Sequence, residues 1–422
     1  MKAWRSLYTV LVIIGVALIP VVALFSEKVR RWWQGQRTIT IPPSPGRPLL
    51  WLHCASVGEF EQGRPVLEYI LQKLPYRPYV VITFFSVSGW ERYRQSYPIG
   101  DCISPLPIDL PWVMRRWIRA LQPKAVFFVK YDLWPNLLHE LQAANCPAYL
   151  LAAHVEPLRG LRWWWKKQLF PYLRWIFVQT QGDLVKLSLA GFRSATVAGD
   201  SRLARVRQVA ENWLPVSGIQ EWIQNHFCII AGSVWEEDVR FLARSYEFLR
   251  GQNLRWILVP HEVSPKSIEM IHKLWPVRCI QYSHPHWEEK RDTLILDKVG
   301  LLAYLYAYAD AVWIGGGFRK GIHNILEAII YKKAVFFGPK HADFSEANEL
   351  IQLKVAESCK HPVSFSNAIK SLIKDRRRLQ VIAKKIDEYL SSKPNTPEIV
   401  WDKLKSDEWT SPSADKSPQE NV

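Results

Sequence analysis

Residues 311–327 read AVWIGGGFRKGIHNILE. A short apolar run ends in Gly315-Gly316-Gly317, and a helix-like segment opens near His323-Asn324 and carries Glu327. The order is strand, glycine turn, helix start. Glycines at such a turn let backbone N–H groups approach a phosphate, and a helix N-terminus favours its charge. The spacing is not Gly-x-Gly-x-x-Gly, which speaks against hydride transfer from a dinucleotide. A polar pair followed by a glutamate one turn later suits a ribose and a sugar. The plain alternative is a tight turn with no ligand.

The same alternation extends in both directions. LLWLHCAS, YVVITFF, AVFFV, AYLLAA and WIFVQT read as strands, with helical stretches such as VMRRWIRAL and DLWPNLLHEL among them. After VAGDSRLARV the pattern restarts: FCIIAGS, WILVP, AVWIG and AVFFG are strands separated by helices. Alternation of this kind predicts parallel sheets with helices on both faces. Two such halves lie in tandem and join between Asp200 and Trp213, facing each other across a cleft. In open α/β sheets, ligands bind at the carboxyl ends of the strands. LQVIAKKIDEYLSS reads as a helix, and the polar end of the chain from Ser406 as a disordered tail.

One segment is not globular. Residues 6–25, SLYTVLVIIGVALIPVVALF, hold no charged side chain. A helix of that length covers about 30 Å, one hydrocarbon core. Lys2 and Arg5 precede it, and Lys28, Arg30, Arg31 and Arg37 follow with Trp32 and Trp33 among them. The excess of positive charge on the C-terminal side places the body in the cytoplasm. A cleaved signal peptide is the competing reading, but a small-x-small cleavage site is missing.

The 422 residues carry 55 Lys and Arg against 39 Asp and Glu, a formal net charge of +16. That bias implies an anionic partner. The 21 tryptophans, mixed with cations, suit a membrane interface. The densest mixture is residues 158–175, LRGLRWWWKKQLFPYLRW. With no nucleic-acid motif in the chain, the reading is lipid, and the plain alternative is a helix with a solvated basic face. Six dispersed cysteines form no CxxC pair, which argues against zinc or a disulfide framework. Glu59, at the end of the first strand and the start of a helix, is either an N-terminal cap or a general base. Gly232-Ser233 repeats the strand–turn geometry, and Pro260-His261 ends a strand where a nucleotide would lie.

These motifs, taken in order, meet a family. ASVGE (Ala55–Glu59), TFFSVSG (Thr83–Gly89), LPIDLP (Leu106–Pro111), DLWPN (Asp132–Asn136), AGS (Ala231–Ser233), LVP (Leu258–Pro260), GGGF…GIHNILEA (Gly315–Ala328) and FGP (Phe337–Pro339) resemble the 3-deoxy-D-manno-octulosonic acid (Kdo) transferases of lipopolysaccharide synthesis. The resemblance runs from about residue 3 to residue 390. It implies an α/β protein of the GT-B glycosyltransferase fold: two facing Rossmann-like domains behind an N-terminal transmembrane helix. On that frame residues 1–41 are the anchor and its basic flank. Residues 42–205 are the acceptor domain, residues 206–390 the donor domain, and residues 391–422 a tail.

The resemblance further implies an inverting transfer of Kdo from CMP-Kdo to the distal glucosamine of a lipid A precursor, with neither metal nor cofactor. The sequence has no Asp-x-Asp pair, the usual metal–diphosphate ligand. Glu59 takes the role of catalytic base. Ser56, Gly58, Ser86, Ser88 and Asp132 fall on the acceptor side. Gly232, Ser233, Pro260, His261, Gly300, Gly317, Gly321, His323, Asn324 and Glu327 fall on the donor side. The implied location is the inner membrane, with a single-pass anchor, the catalytic domains in the cytoplasm and membrane lipid as a partner.

There are departures from the family pattern. Many members have Arg at the position of His261, Thr-Glu where this chain has Tyr131-Asp132, and GGHNPLE after the glycines. Two other readings stand beside the transferase: a nucleotide-sugar epimerase of similar fold, and a non-catalytic membrane-bound binder of anionic ligands.

Overall fold

The computed structural model describes residues 2–42, 46–93, 99–155, 160–285, 287 and 291–411. Part of the proline-rich linker, Leu158 and Arg159 of the basic–aromatic stretch, and the end of the tail lie outside the described residues. Two compact units form: residues 1–205 with 394–422, and residues 206–393.

The first unit opens with helices α1 (Lys2–Phe25) and α2 (Glu27–Arg37). Its seven parallel strands are β1 (Leu49–Cys54), β2 (Tyr79–Phe84), β3 (Cys102–Pro105), β4 (Ala125–Val129), β5 (Ala148–Ala153), β6 (Trp175–Val178) and β7 (Ala195–Val197), in spatial order β3-β2-β1-β4-β5-β6-β7. β1 and β4 read as continuous apolar runs because both faces are covered, and every residue in them is buried. Among the crossover helices are α3 (Val57–Lys73), α4 (Val87–Tyr93), α5 (Pro111–Leu121), α6 (Pro135–Ala143) and α7 (Gly160–Leu169).

The second unit repeats the plan with β8 (Phe227–Val234), β9 (Leu254–Pro260), β10 (Ile280–Gln281), β11 (Thr293–Ile295), β12 (Ala311–Ile314), β13 (Ala334–Phe337) and β14 (Ala356–Ser358), in order β10-β11-β9-β8-β12-β13-β14. In each sheet the order reverses beside its first strand: β1 pairs with both β2 and β4, and β8 with both β9 and β12. Just outside the strand carboxyl ends at such switch points is where α/β sheets hold ligands.

The structure departs from the sequence reading at three places. The stretch after the glycines stays a turn through Asn324, and its helix is only Leu326–Ile329. The hinge between Asp200 and Trp213 is mostly one helix, Ser201–Glu211. The chain from 394 to 411, read as the start of a tail, carries the helix Thr396–Leu404 and returns to the first unit. Buried Val400, Leu404 and Trp409 join the core beneath α3. Trp409 Nε1 donates to Tyr149 Oη at 2.9 Å, and Tyr76 Oη donates to the Trp409 carbonyl at 2.6 Å. These apolar side chains are spaced too widely among polar ones to stand out in sequence.

α1 is the one helix among the described residues that is long and apolar enough to cross a membrane. Its apolar side chains are largely exposed.

Candidate active site

In the first unit the site is built around the end of β1. Ser56 caps α3, accepting from Glu59 N at 3.4 Å, and Glu59 Oε2 accepts from Ala55 N at 2.6 Å. The carboxylate therefore sits in the first turn of α3, where the helix dipole favours it. Burial raises its proton affinity above the usual carboxylate range. The Ala55 hydrogen bond opposes that shift, Asp132 adds to it, and His53 and Lys130 oppose it. Gly58 beside it is exposed, and a Cβ there would find only Ser56 Oγ within 4 Å. Ser86 N donates to the Ala55 carbonyl at 2.9 Å, which ties the β2–α4 turn to the β1–α3 turn. Ser86 Oγ accepts from Gly89 N at 3.3 Å, whereas Ser88 is exposed.

Asp132 stands in the turn after β4 and meets His53 of β1, Oδ2 to Nε2 at 2.7 Å. His53 is fully buried. Its Nδ1 lies 2.9 Å from Thr83 Oγ1, and that oxygen accepts from Trp51 Nε1 at 2.8 Å. With the proton on His53 Nε2, the chain of bonds from Trp51 to Asp132 runs one way. The Thr83 hydroxyl, already an acceptor, donates to His53 Nδ1, and His53 Nε2–H donates to Asp132. Trp134 Nε1 also lies 3.1 Å from His53 Nε2. The Asp132 oxygen, at 2.7 Å, is the closer partner of that nitrogen. A buried chain from Trp51 to Asp132 thus fixes the carboxylate beside Glu59. Sequence reasoning missed His53, since one histidine in an apolar strand carries no signal of its own.

LPIDLP and the Asn136 end of DLWPN serve architecture. Asp109 of LPIDLP accepts from Asn136 N at 3.0 Å and Leu137 N at 2.8 Å, so it caps α6 at DLWPN. Asn136 Nδ2 returns a bond to the Asp109 carbonyl at 2.7 Å. Burial pushes the Asp109 carboxyl up to about 6.

In the second unit the glycines serve close packing. A Cβ on Gly315 would come within 2.2 Å of the Ser233 carbonyl, and one on Gly317 within 2.6 Å of Gly338 N. No side chain fits, and the ends of β8, β12 and β13 converge. Ser233 itself holds a left-handed φ of 54° beside an irregularity in the β8–β9 pairing. Strain of that kind gathers at functional sites. Asp238 clamps the crevice: it accepts from Trp235 N at 3.0 Å, Gly316 N at 2.9 Å and Trp313 Nε1 at 3.1 Å. Trp235-x-x-Asp238 matches only part of the capping signature, an acidic residue at the N3 position, and the sequence reading passed over it.

A ring stack occupies the strand ends. His261, just past Pro260, lies 4.4 Å from Trp235 and 4.3 Å from His323 by ring centroids, with interplanar angles of 28° and 16°. Trp235 Nε1 donates to His323 Nε2 at 3.0 Å, so that nitrogen carries no proton. Burial and the neighbouring His261 push His323 down from 6.5 to about 4, and burial lowers His261 as well. The Arg319 guanidinium stands over the Trp235 ring at 4.3 Å. Asn324 Nδ2 donates to Glu327 Oε1 at 3.0 Å, and Asn324 Oδ1 accepts from Leu326 N at 3.2 Å. Gly321 N donates to the Gly316 carbonyl at 3.3 Å, which folds the loop back on the glycines. Gly232 backs onto Tyr306, whose hydroxyl would lie 1.9 Å from a Cβ there.

Pro260, His261, Gly232, Ser233, Gly317, Gly321, His323, Asn324 and Glu327 therefore share one end of the sheet. Gly300, in the turn before the short helix Leu302–Leu305, has nothing within 4 Å of a Cβ. Among the described residues no cluster of three or more His, Cys, Asp or Glu side chains could hold a metal ion.

The family model of 3-deoxy-D-manno-octulosonic-acid transferase (Kdo transferase) matches residues 30–205. Curated proteins of that name are similar to this chain over most of its length. The enzyme of that name from Haemophilus influenzae is 26% identical over 81% of this chain and 84% of its own. The one from Chlamydia muridarum is 23% identical over 91% of this chain and 92% of its own, and the one from Rickettsia typhi 24% over 82% and 76%. Among solved structures the chain resembles the UDP-GlcNAc 2-epimerase of Neisseria meningitidis, with a TM-score of 0.60, 12% identity and coverage of 84% of this chain and 98% of that one. It also resembles MurG of Acinetobacter baumannii, with a TM-score of 0.52, 12% identity and coverage of 85% and 99%. At such identities these likenesses establish the fold, the pair of Rossmann-like units of the GT-B class. The relationship in sequence supports a glycosyltransferase.

Proposed function

We propose that this transferase moves Kdo from CMP-Kdo to a lipid A precursor, with inversion at the anomeric carbon and without metal, and that Glu59 is the base. The observation that carries this reading is the carboxylate at the start of α3, in the switch-point crevice, with its proton affinity raised and a second carboxylate, Asp132, held beside it. A base poised above the ordinary carboxylate range takes a proton from a sugar hydroxyl more readily. The hydroxyl oxygen attacks the anomeric carbon of Kdo, its proton passes to Glu59, and the bond to the CMP phosphate oxygen breaks with its electron pair on the phosphate. A carboxylate paired with an incoming oxygen nucleophile is the logic of sugar chemistry elsewhere.

The donor belongs in the crevice of the second unit, among Gly232, Ser233, Pro260, His261, Gly317, Gly321, His323, Asn324 and Glu327, with Gly300 on its margin. Because His261 and His323 are held neutral, they offer the donor ring faces and hydrogen bonds rather than charge. Arg319 supplies the positive charge that many relatives place at the position of His261. The acceptor belongs in the first unit, with Ser56, Gly58, Ser86, Ser88 and Asp132 around Glu59. The membrane is the inner one, with both units on its cytoplasmic side. The basic and aromatic flanks of α1, together with Trp164 and Lys167 of α7, support an anionic lipid surface.

The test is transfer from CMP-Kdo to a tetra-acylated lipid A precursor, with purified protein in detergent and chelator. The product mass is expected to rise by one or more Kdo units. No product beside an active control transferase would overturn the reading of donor or acceptor.

A further inference from the structure

Both ends of the apolar helix α1 are fastened to the same unit. At its start, Thr9 Oγ1 and Asn136 of α6 are 3.2 Å apart, and Tyr8 hydrogen-bonds to Asp109. Trp4 and Tyr8 pack edge-on against Trp165 of α7, with ring centroids 5.3 Å and 6.3 Å apart. At its end only Ser26, in extended conformation, separates α1 from α2. α2 is itself docked. Arg31 pairs with Glu91, Trp32 Nε1 donates to the Phe85 carbonyl at 3.1 Å, and Gln36 Nε2 donates to the Leu106 carbonyl at 2.8 Å. A Cβ on Gly35 would lie 3.2 Å from the Trp90 ring, so the α2 backbone rests against α4.

Reach decides what this means. Arg31 lies six positions beyond Phe25, about 9 Å at helical rise. A hydrocarbon core is about 30 Å thick. A helix whose first turns touch the first unit, and whose last residue is that close to it, cannot place its two ends on opposite faces of a bilayer.

We infer that α1 enters the membrane from one side only, with both ends at the face that carries the first unit, and lies in a single leaflet. This replaces the single-pass anchor expected from length and hydropathy, and it rests on the membrane location proposed above. The surface fits that partner. Leu7, Leu11, Ile14, Leu18 and Val21 are exposed along α1 and face acyl chains. Lys28, Arg30 and Arg37 of α2 and Lys167 of α7 are exposed at its two ends, where anionic headgroups lie. Crossing would require the Thr9–Asn136, Tyr8–Asp109 and Trp165 contacts to break, and would carry the charged Arg5 to the opposite face.

The experiment labels full-length Ala3→Cys and Ser406→Cys variants in spheroplasts of a Gram-negative host with a membrane-impermeant maleimide, beside the parent chain. Protein recovered in the membrane fraction, with neither new thiol labelled until the membrane is opened, is the expected result. Labelling of Ala3→Cys in intact spheroplasts would overturn the one-sided placement and leave the membrane location standing. Recovery in the soluble fraction would overturn the location and this inference with it. If bound lipid shields the Ala3→Cys thiol, an N-terminal epitope in inverted vesicles decides. It should be digested by added protease, and its protection would refute the inference.

Discussion

In the proposed site, Glu59 and Asp132 are coupled electrostatically. The negative charge of Asp132 raises the proton affinity of Glu59. A base works only when deprotonated, so the rate falls as pH drops through its pKa. Asp132→Asn removes the charge, and the acid limb of kcat/KM is expected to move to lower pH. Asp132→Glu, the residue of many relatives, should keep the limb in place, and an unmoved limb in the Asn variant would refute the coupling. On the donor side, Arg319→Ala should raise KM for CMP-Kdo about tenfold or more, as loss of a charged contact of about 1.5–3 kcal/mol implies, with kcat less affected; an unchanged KM would remove Arg319 from the donor site. His323 adds a pH dependence of its own. Its folded value, about 4, lies below its ordinary 6.5, so the unfolded chain binds a proton first. Stability is complete above 6.5 and falls as pH drops towards 4. The thermal midpoint should decline over that window, and less steeply in His323→Gln; equal slopes would deny the neutral histidine its role. At this scale the sequence marked the chain termini of strands well, since ASVGE and GGGF announce themselves. It could not mark His53, Asp238 or Arg319, whose meaning lies in partners distant in the chain.

Elements explain why some motifs exist. LPIDLP and DLWPN sit far apart in sequence, yet Asp109 closes the first turn of α6 and so joins them. Asp109→Ala would leave two buried N–H groups without an acceptor and free Tyr8 of α1. The expected cost is about 2–4 kcal/mol, measured as a lower denaturation midpoint of the purified protein. A midpoint within error of the parent would mean the cap is idle. The strands of both sheets' centres were legible as apolar runs, because parallel strands buried on both faces leave no room for polar alternation. Short edge strands such as β3, β7, β10 and β14 were not, since two to four residues give no period to read. The expected helix at Asn324 shrank for a physical reason: His323 N and Gly321 N are bonded back to Gly315 and Gly316, which holds the chain in a turn until Ile325.

At the scale of the whole molecule, length and hydropathy marked α1 as long and apolar enough to cross a membrane, but its contacts with the first unit were beyond the reach of the sequence. The same holds for the end of the chain, where Trp409 and its neighbours complete the core of the first unit after the second has been traversed. The two-unit plan was readable from alternation alone, and curated proteins similar in sequence carry the name 3-deoxy-D-manno-octulosonic acid transferase. The proposed mechanism turns on Glu59 as the base of Kdo transfer. A glutamine at 59 can still accept from Ala55 N through its amide oxygen, so Glu59→Gln should fold and bind CMP as the parent does. The decisive measurement is the rate of Kdo transfer from CMP-Kdo to the tetra-acylated lipid A precursor by parent and Glu59→Gln side by side. Loss of a general base predicts a fall of about 10²–10⁴-fold with CMP binding retained. Equal rates would contradict the assignment and with it the mechanism.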